Sequence, residues 1–192
     1  MIDPVRSGSL LRLAQRIDEE YIPGDVVECG VYRGGSAATM ARVATHSPMK
    51  RTVWLFDSFQ GMPPAKEVDG PGAEDWVGAL AYSPRKVERL LRRTGAEMSR
   101  VRIVQGFFAE TFPTVDIPKI ALLNVDSDWY ESVKICFEKF YDAVEPGGFV
   151  SIDDYGSWPG CRLAVDEFFQ KRGLTHKMIQ VDNTAWWFQK TV

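Results

Sequence analysis

The chain reads as an α/β protein: a mostly parallel sheet with helices on both faces. Three observations lead there. Short apolar runs alternate with stretches of helical periodicity, about five times over, the pattern of parallel strands joined by crossover helices. Several of those runs stop at an acid or a glycine, at Asp57, Gly106, Asp126 and Asp153-Asp154, which is where open α/β sheets present side chains to a ligand. The pattern closes on two apolar runs joined by the short polar turn Asp182-Asn183-Thr184, which should pair antiparallel.

Asp3-Pro4 opens the first helix, since an acid can cap it and proline suits its first turn. Leu10, Leu13, Ala14 and Ile17 recur at helical spacing until Tyr21-Ile22-Pro23-Gly24-Asp25 ends the pattern. Val26 to Cys29 is the first buried strand, Gly30 to Ser36 a glycine-rich turn, and Ala37, Met40, Ala41 and Ala44 the inner face of the next helix. Thr52 to Asp57 is the second strand. From Ser58 to Tyr82 the chain is loop-like and rich in glycine and proline; a connection that long is expected to be functional, such as a lid, or else disordered. Ser83-Pro84 starts a helix with Val87, Leu90 and Leu91 on its apolar side. Val101 to Gln105 is the third strand, closed by Gly106, and Phe107 to Phe112 a short helix before Pro113. Ile120 to Asp126 gives the fourth strand, and Tyr130 to Val144 the helix after it, with Val133, Phe137, Phe140 and Tyr141 inward. Pro146-Gly147-Gly148 breaks that helix, and the fifth strand follows. Trp158-Pro159-Gly160 leads into a helix with Leu163, Ala164, Phe168 and Phe169 inward. Met178 to Val181 and Trp186 to Gln189 form the terminal hairpin. One domain is expected over 1–192, with 1–24 as an N-terminal helical segment and 58–82 as the lid.

The chemistry concentrates at the strand ends. If the fourth and fifth strands are neighbours, Asp126, Asp153 and Asp154 converge, and three carboxylates in one place repel each other unless a cation sits among them. That donor set suits a hard divalent metal such as Mg²⁺. Asp128 is expected to cap the following helix instead. In the first turn, Glu28-x-Gly30-x3-Gly34-Gly35-Ser36 departs from the Gly-x-Gly-x-x-Gly spacing that a nicotinamide or flavin pyrophosphate requires. It suits a cofactor with an amino-acid end, whose ammonium would meet Glu28 and whose carboxylate the loop amides; a plain tight turn is the alternative. Asp57 lies at the strand end where doubly wound folds hold a ribose diol, and Gly106-Phe107 can set a backbone and a flat ring beside an adenine.

Net charge is −3 without a basic stripe, so no nucleic-acid partner is expected. Cys29, Cys136 and Cys161 lack metal-ligand spacing and read as small core residues in a reducing compartment. With no apolar leader and no run of membrane-spanning length, the expectation is a cytoplasmic protein without a membrane partner.

Four segments in order resemble the macrocin O-methyltransferase family: Glu28-Cys29-Gly30-Val31-Tyr32-Arg33-Gly34-Gly35-Ser36, Phe56-Asp57-Ser58-Phe59-Gln60-Gly61-Met62-Pro63, Asp126 to Ser132, and Asp153-Asp154-Tyr155-Gly156 running on to Phe168. The resemblance implies the Rossmann-like class I methyltransferase sheet of seven strands with a C-terminal antiparallel hairpin. It implies S-adenosyl-L-methionine as cofactor, held by Glu28, Gly30, Val31, Tyr32, Ser36, Asp57, Ser58, Gly106, Phe107 and Asp126, and Mg²⁺ on Asp126, Asp153 and Asp154. The expected partner is a small-molecule hydroxyl acceptor, a natural-product sugar or another vicinal diol, with a homodimer left open. Where the family pattern often carries a histidine after Asp-Asp-Tyr-Gly, this chain has Ser157. Asp126, which would lie between metal and cofactor, is the expected catalytic base. Two other readings share these motifs: a metal-independent methyltransferase of the same fold, and a non-catalytic S-adenosylmethionine-binding partner protein.

Overall fold

The computed structural model describes residues 3–191. Seven strands form one sheet: β1 (Asp25–Cys29), β2 (Val53–Asp57), β3 (Val101–Gln105), β4 (Ile120–Val125), β5 (Val144–Ile152), β6 (Ile179–Gln180) and β7 (Trp186–Gln189). Their order is β3-β2-β1-β4-β5-β7-β6. The first five are parallel, with Val26 opposite both Val53 and Leu122, and Leu122 opposite Phe149. β7 runs antiparallel to β5 and to β6, as the turn chemistry at Asp182 predicts. Strand order therefore reverses between β1 and β4, the switch point at which such sheets open a crevice.

Successive residues of each strand face opposite sides, and the core splits accordingly. Val26, Leu55, Leu122 and Phe149 pack under α1 (Pro4–Glu19), α2 (Gly35–His46) and α3 (Pro84–Arg93). Val27, Phe56, Leu123 and Val150 pack under α4 (Phe108–Thr111), α5 (Tyr130–Phe140) and α6 (Pro159–Arg172). Cys29, Cys136 and Cys161 are free and buried on this second side. Asp3 caps α1, its carboxylate accepting from the Val5 amide at 2.7 Å.

Three expectations are corrected. β5 begins at Val144, so Pro146-Gly147-Gly148 lies inside the strand; the sheet absorbs it as an irregularity, Ile120 facing Val144 while Leu122 faces Phe149. The helix before it accordingly stops at Phe140. Leu163 is 40% exposed; Cys161, Ala164 and Val165 are buried positions of α6, and Phe168 and Phe169 pack half-buried against the same core.

The 58–82 connection is folded. It holds two short 3₁₀ turns, Glu67–Asp69 and Ala73–Trp76, and a bridge between Met62 and Val77. Asp69, almost fully buried, accepts hydrogen bonds from the amides of Lys66 and Tyr130, both at 2.7 Å. The Trp129 indole donates to the Pro63 carbonyl at 3.0 Å. Among the described residues no helix is long and apolar enough to cross a membrane.

Candidate active site

A cavity of about 840 Å³ opens at the carboxyl ends of β1, β2, β4 and β5, between the glycine turn, the 58–82 connection and the start of α5. Its depth depends on Gly30. This residue has φ +93°, and a Cβ there would lie 1.6 Å from the Asp126 carbonyl oxygen. Only glycine lets the ends of β1 and β4 lie this close, held by Asp126 N–H to Cys29 C=O at 2.8 Å, while Gly30 N–H bonds Phe56 C=O of β2 at 2.9 Å.

Asp57 organises the turn above it. One carboxylate oxygen accepts from the amides of Val31 and Tyr32, at 2.7 and 2.8 Å, and the other from Phe59 at 2.6 Å. The acid that the sequence assigns to a ribose is thus also the clamp that shapes the glycine turn. Ser58 accepts from the Gln60 amide at 3.1 Å and belongs to the same wall.

Glu28 is fully buried and does not line the cavity. Its Oε1 accepts from Asn124 Nδ2 at 3.0 Å, while Oε2 and the Asn124 Oδ1 lack donors. Burial pushes this carboxyl up to about 8, against the opposing hydrogen bonds from Ser36 and Asn124. Ser36, at the start of α2, does line the cavity. Val31, Tyr32 and Phe107 line the wall, Phe107 being 37% exposed; Gly106, at φ +141°, forms the corner behind it.

The acids at the floor differ from expectation in one member. Asp126, Asp128 and Asp154 bring carboxylate oxygens within 4.8 Å of one another. Asp153, named with Asp126 and Asp154 from the sequence, is turned to Arg6 of α1. The reason is charge: Asp153 finds a cation, and the other three do not. Asp128 takes the vacated place because it adopts φ +55°, with the Trp129 amide bonded to the Ser127 carbonyl at 2.6 Å. A non-glycine residue held there stores backbone strain, which persists where surroundings enforce it and gathers at functional sites. The cap assigned to Asp128 is supplied by Asp69 instead.

Burial, then mutual repulsion, raises Asp126 and Asp154 well above the ordinary carboxylate range. Burial and the Asp153 charge push Asp128 up to about 6, although hydrogen bonds from Trp158 and Asp154 oppose this. Asp154 Oδ2 is buried without a donor. Such a set is stable only if it keeps protons or receives a cation. All-oxygen donors on a rigid strand edge fit a hard divalent ion such as Mg²⁺. The glycine-lined turn, the α2 N-terminus and the adjoining aromatic wall fit a cofactor with a carboxylate end and a nucleoside end.

Neither histidine belongs to the site. His176 bonds Tyr141 at 2.7 Å and stacks on Phe188, and burial lowers its pKa. His46 ends α2.

Residues 1–190 match the model of the macrocin-O-methyltransferase (TylF) family. Demethyldecarbamoylnovobiocin O-methyltransferase of Streptomyces niveus is 34% identical over 198 residues, covering 100% of this chain and 75% of that protein. Mycinamicin III 3''-O-methyltransferase of Micromonospora griseorubida is 32% identical over 200 residues, covering 100% and 78%. The solved structure of the O-methyltransferase NovP superposes with a TM-score of 0.90 at 34% identity, over 98% of this chain and 80% of that one. The chain therefore belongs to the macrocin-O-methyltransferase family, and is an S-adenosylmethionine-dependent O-methyltransferase of the class I fold.

Proposed function

We propose that the protein methylates a hydroxyl of a natural-product sugar or a similar vicinal diol, with S-adenosylmethionine as donor and Mg²⁺ at the acid cluster. The observation that carries the reading is the adjacency of two different sites in one cavity: a glycine-lined turn closed on Asp126 from one side, and a carboxylate cluster containing Asp126 on the other. The relatives' names add the acceptor class, since the mycinamicin enzyme is named for a 3''-O position.

S-adenosylmethionine, when bound, would supply an electrophilic methyl group, and Gly30, Val31, Tyr32, Ser36, Asp57, Ser58 and Phe107 would hold it beside Asp126, with Glu28 and Gly106 supporting the wall. Mg²⁺, when bound, would acidify and orient the acceptor hydroxyl, and Asp126, Asp154, and Asp128 or Asp153 would hold it. The protein's own contribution is alignment and proton removal. Gly30 lets the donor turn and Asp126 share one edge, so an acceptor oxygen held at the acids would lie beside the donor turn; alignment alone can supply several kcal/mol of a displacement barrier. Asp126 takes the hydroxyl proton. Trp129 and the Asp69-anchored connection exclude water from that oxygen.

Titration of S-adenosylmethionine and of Mg²⁺ into the wild type and Asp126→Asn, followed by methyl-transfer assays on glycosylated diols with and without chelator, tests this. The expected result is cofactor binding in both proteins, weakened Mg²⁺ binding in the variant, and turnover reduced about a hundredfold or more. Turnover indifferent to chelator would refute the Mg²⁺ part and favour the metal-independent reading. Cofactor binding without transfer to any diol would refute the acceptor class.

A further inference from the structure

Four basic residues line the cavity, and only one meets the acids. Lys66 pairs with Glu131, Lys134 lies over the Tyr130 ring and Arg33 over the Tyr32 ring. Arg6 donates from Nη1 to Asp153 Oδ2 and from Nε to Asp182 Oδ2, the latter at 2.9 Å. One guanidinium thus joins α1, the end of β5 and the β6–β7 turn.

The two acids it joins are not equivalent. Asp182 is satisfied without Arg6: its Oδ1 accepts from the Thr184 amide, the Thr184 hydroxyl and the Ala185 amide at 2.8 to 3.0 Å. Burial would raise Asp182, but those hydrogen bonds and the Arg6 charge outweigh it and hold it low. Asp153 has no other cationic partner among the described side chains, and its charge is the neighbouring one that Asp126 and Asp128 feel most. Losing Asp153 would leave Arg6 paired to Asp182, so the exchange strands no buried cation, the step that makes most buried pairs hard to break.

We propose that Arg6 is an internal counter-ion that competes with a divalent cation for Asp153, holding this carboxylate apart from Asp126, Asp128 and Asp154 and yielding it when the cation binds. The proposal rests on the magnesium reading above and makes Arg6 a positioning residue. It follows that cation affinity and the anchoring of α1 are linked, and linkage is reciprocal: what Arg6 takes from cation binding, the cation takes from α1.

Calorimetric Mg²⁺ titrations of the wild type, Arg6→Met, Asp153→Asn and the double variant test it. Arg6→Met should bind Mg²⁺ about tenfold more tightly than wild type. In the Asp153→Asn background the same change should shift affinity by less than about twofold, because the competition needs Asp153. Hydrogen exchange gives a second reading: Mg²⁺ should accelerate exchange of α1 amides in wild type and leave α1 of Arg6→Met unaffected. Equal or weaker Mg²⁺ binding in Arg6→Met overturns the proposal, as does a gain that persists undiminished without Asp153, which would be a bulk field effect. Absence of Mg²⁺ binding from both wild type and Arg6→Met would instead refute the magnesium reading on which the competition depends. Binding by Arg6→Met alone supports the competition in its strongest form.

Discussion

Glu28 and Asp128 keep their protons to higher pH than ordinary carboxyls, Glu28 to about 8 and Asp128 to about 6, burial being the first cause in each. The folded state therefore binds these protons more tightly than the unfolded chain. Their contribution to stability is complete below the unfolded value, near 4 to 4.5, and is lost as pH rises through the folded values. In chelator, the melting temperature should fall between pH 5.5 and 8.5 by about 2–6 °C. Mg²⁺ should restore the part due to the acid cluster and not the part due to Glu28. A melting temperature that rises over that interval in chelator contradicts the assignment. Gly30→Ala should cost more than about 3 kcal/mol and abolish cofactor binding, because its Cβ would lie 1.6 Å from the Asp126 oxygen; an alanine variant that binds normally excludes that clash. The places of Asp57, Asp126 and Asp154 in the cavity wall were legible because each lies at or just past a strand end. Asp128 was not, since one left-handed residue, φ +55°, breaks the alternation that a pattern can follow. Asn124 left a signal that went unused: it is the polar residue inside the apolar run Leu122 to Val125, and it pairs with Glu28.

Among the elements, the 58–82 connection departs most from what its composition suggests. Glycine and proline mark it as irregular, but they do not show that Asp69 caps α5 across a gap of 61 positions. The same acid crowds Gly160 at the start of α6, where a Cβ would lie 2.4 Å from its Oδ1. Motion of the connection therefore has to release α5, the helix that follows Asp128. Asp69→Ala should cost about 1–2 kcal/mol, the range for a lost cap, and raise proteolysis within 58–82. Cutting of Asp69→Ala at the wild-type rate would show that the cap does not hold the connection. Helix starts were legible at Asp3-Pro4, Ser83-Pro84 and Pro159, because proline and capping acids act locally. The start of β5 was not, because Pro146-Gly147-Gly148 has the composition of a break and is kept in the sheet by neighbours: Gly147 N–H bonds the Lys190 carbonyl at 2.6 Å and Lys190 N–H bonds Gly148 at 2.8 Å.

At the scale of the whole molecule, the β-α alternation predicted a parallel sheet but left open which strands are neighbours. The order β3-β2-β1-β4-β5-β7-β6 puts β4 at the centre, and both cores use the two faces of that one strand, Leu122 on one side and Leu123 on the other. Unfolding by urea should therefore be one transition, with fluorescence, far-ultraviolet dichroism and loss of cofactor binding coinciding; separated midpoints would mean that the two cores melt independently. The long reach of the site's contacts has a further consequence, for synthesis. Glu28 meets Asn124 across 96 positions, Arg6 meets Asp153 across 147, and Arg6 meets Asp182 across 176. A nascent chain from which only β1 to β3 have left the ribosome owns the glycine turn but neither Asp126 nor the strand that closes on it. A ligand recognising the finished cleft has nothing to grip until β4 and β5 leave the ribosome. Added methyl donor can then favour only the last step of folding, and cannot rescue a chain stalled before it.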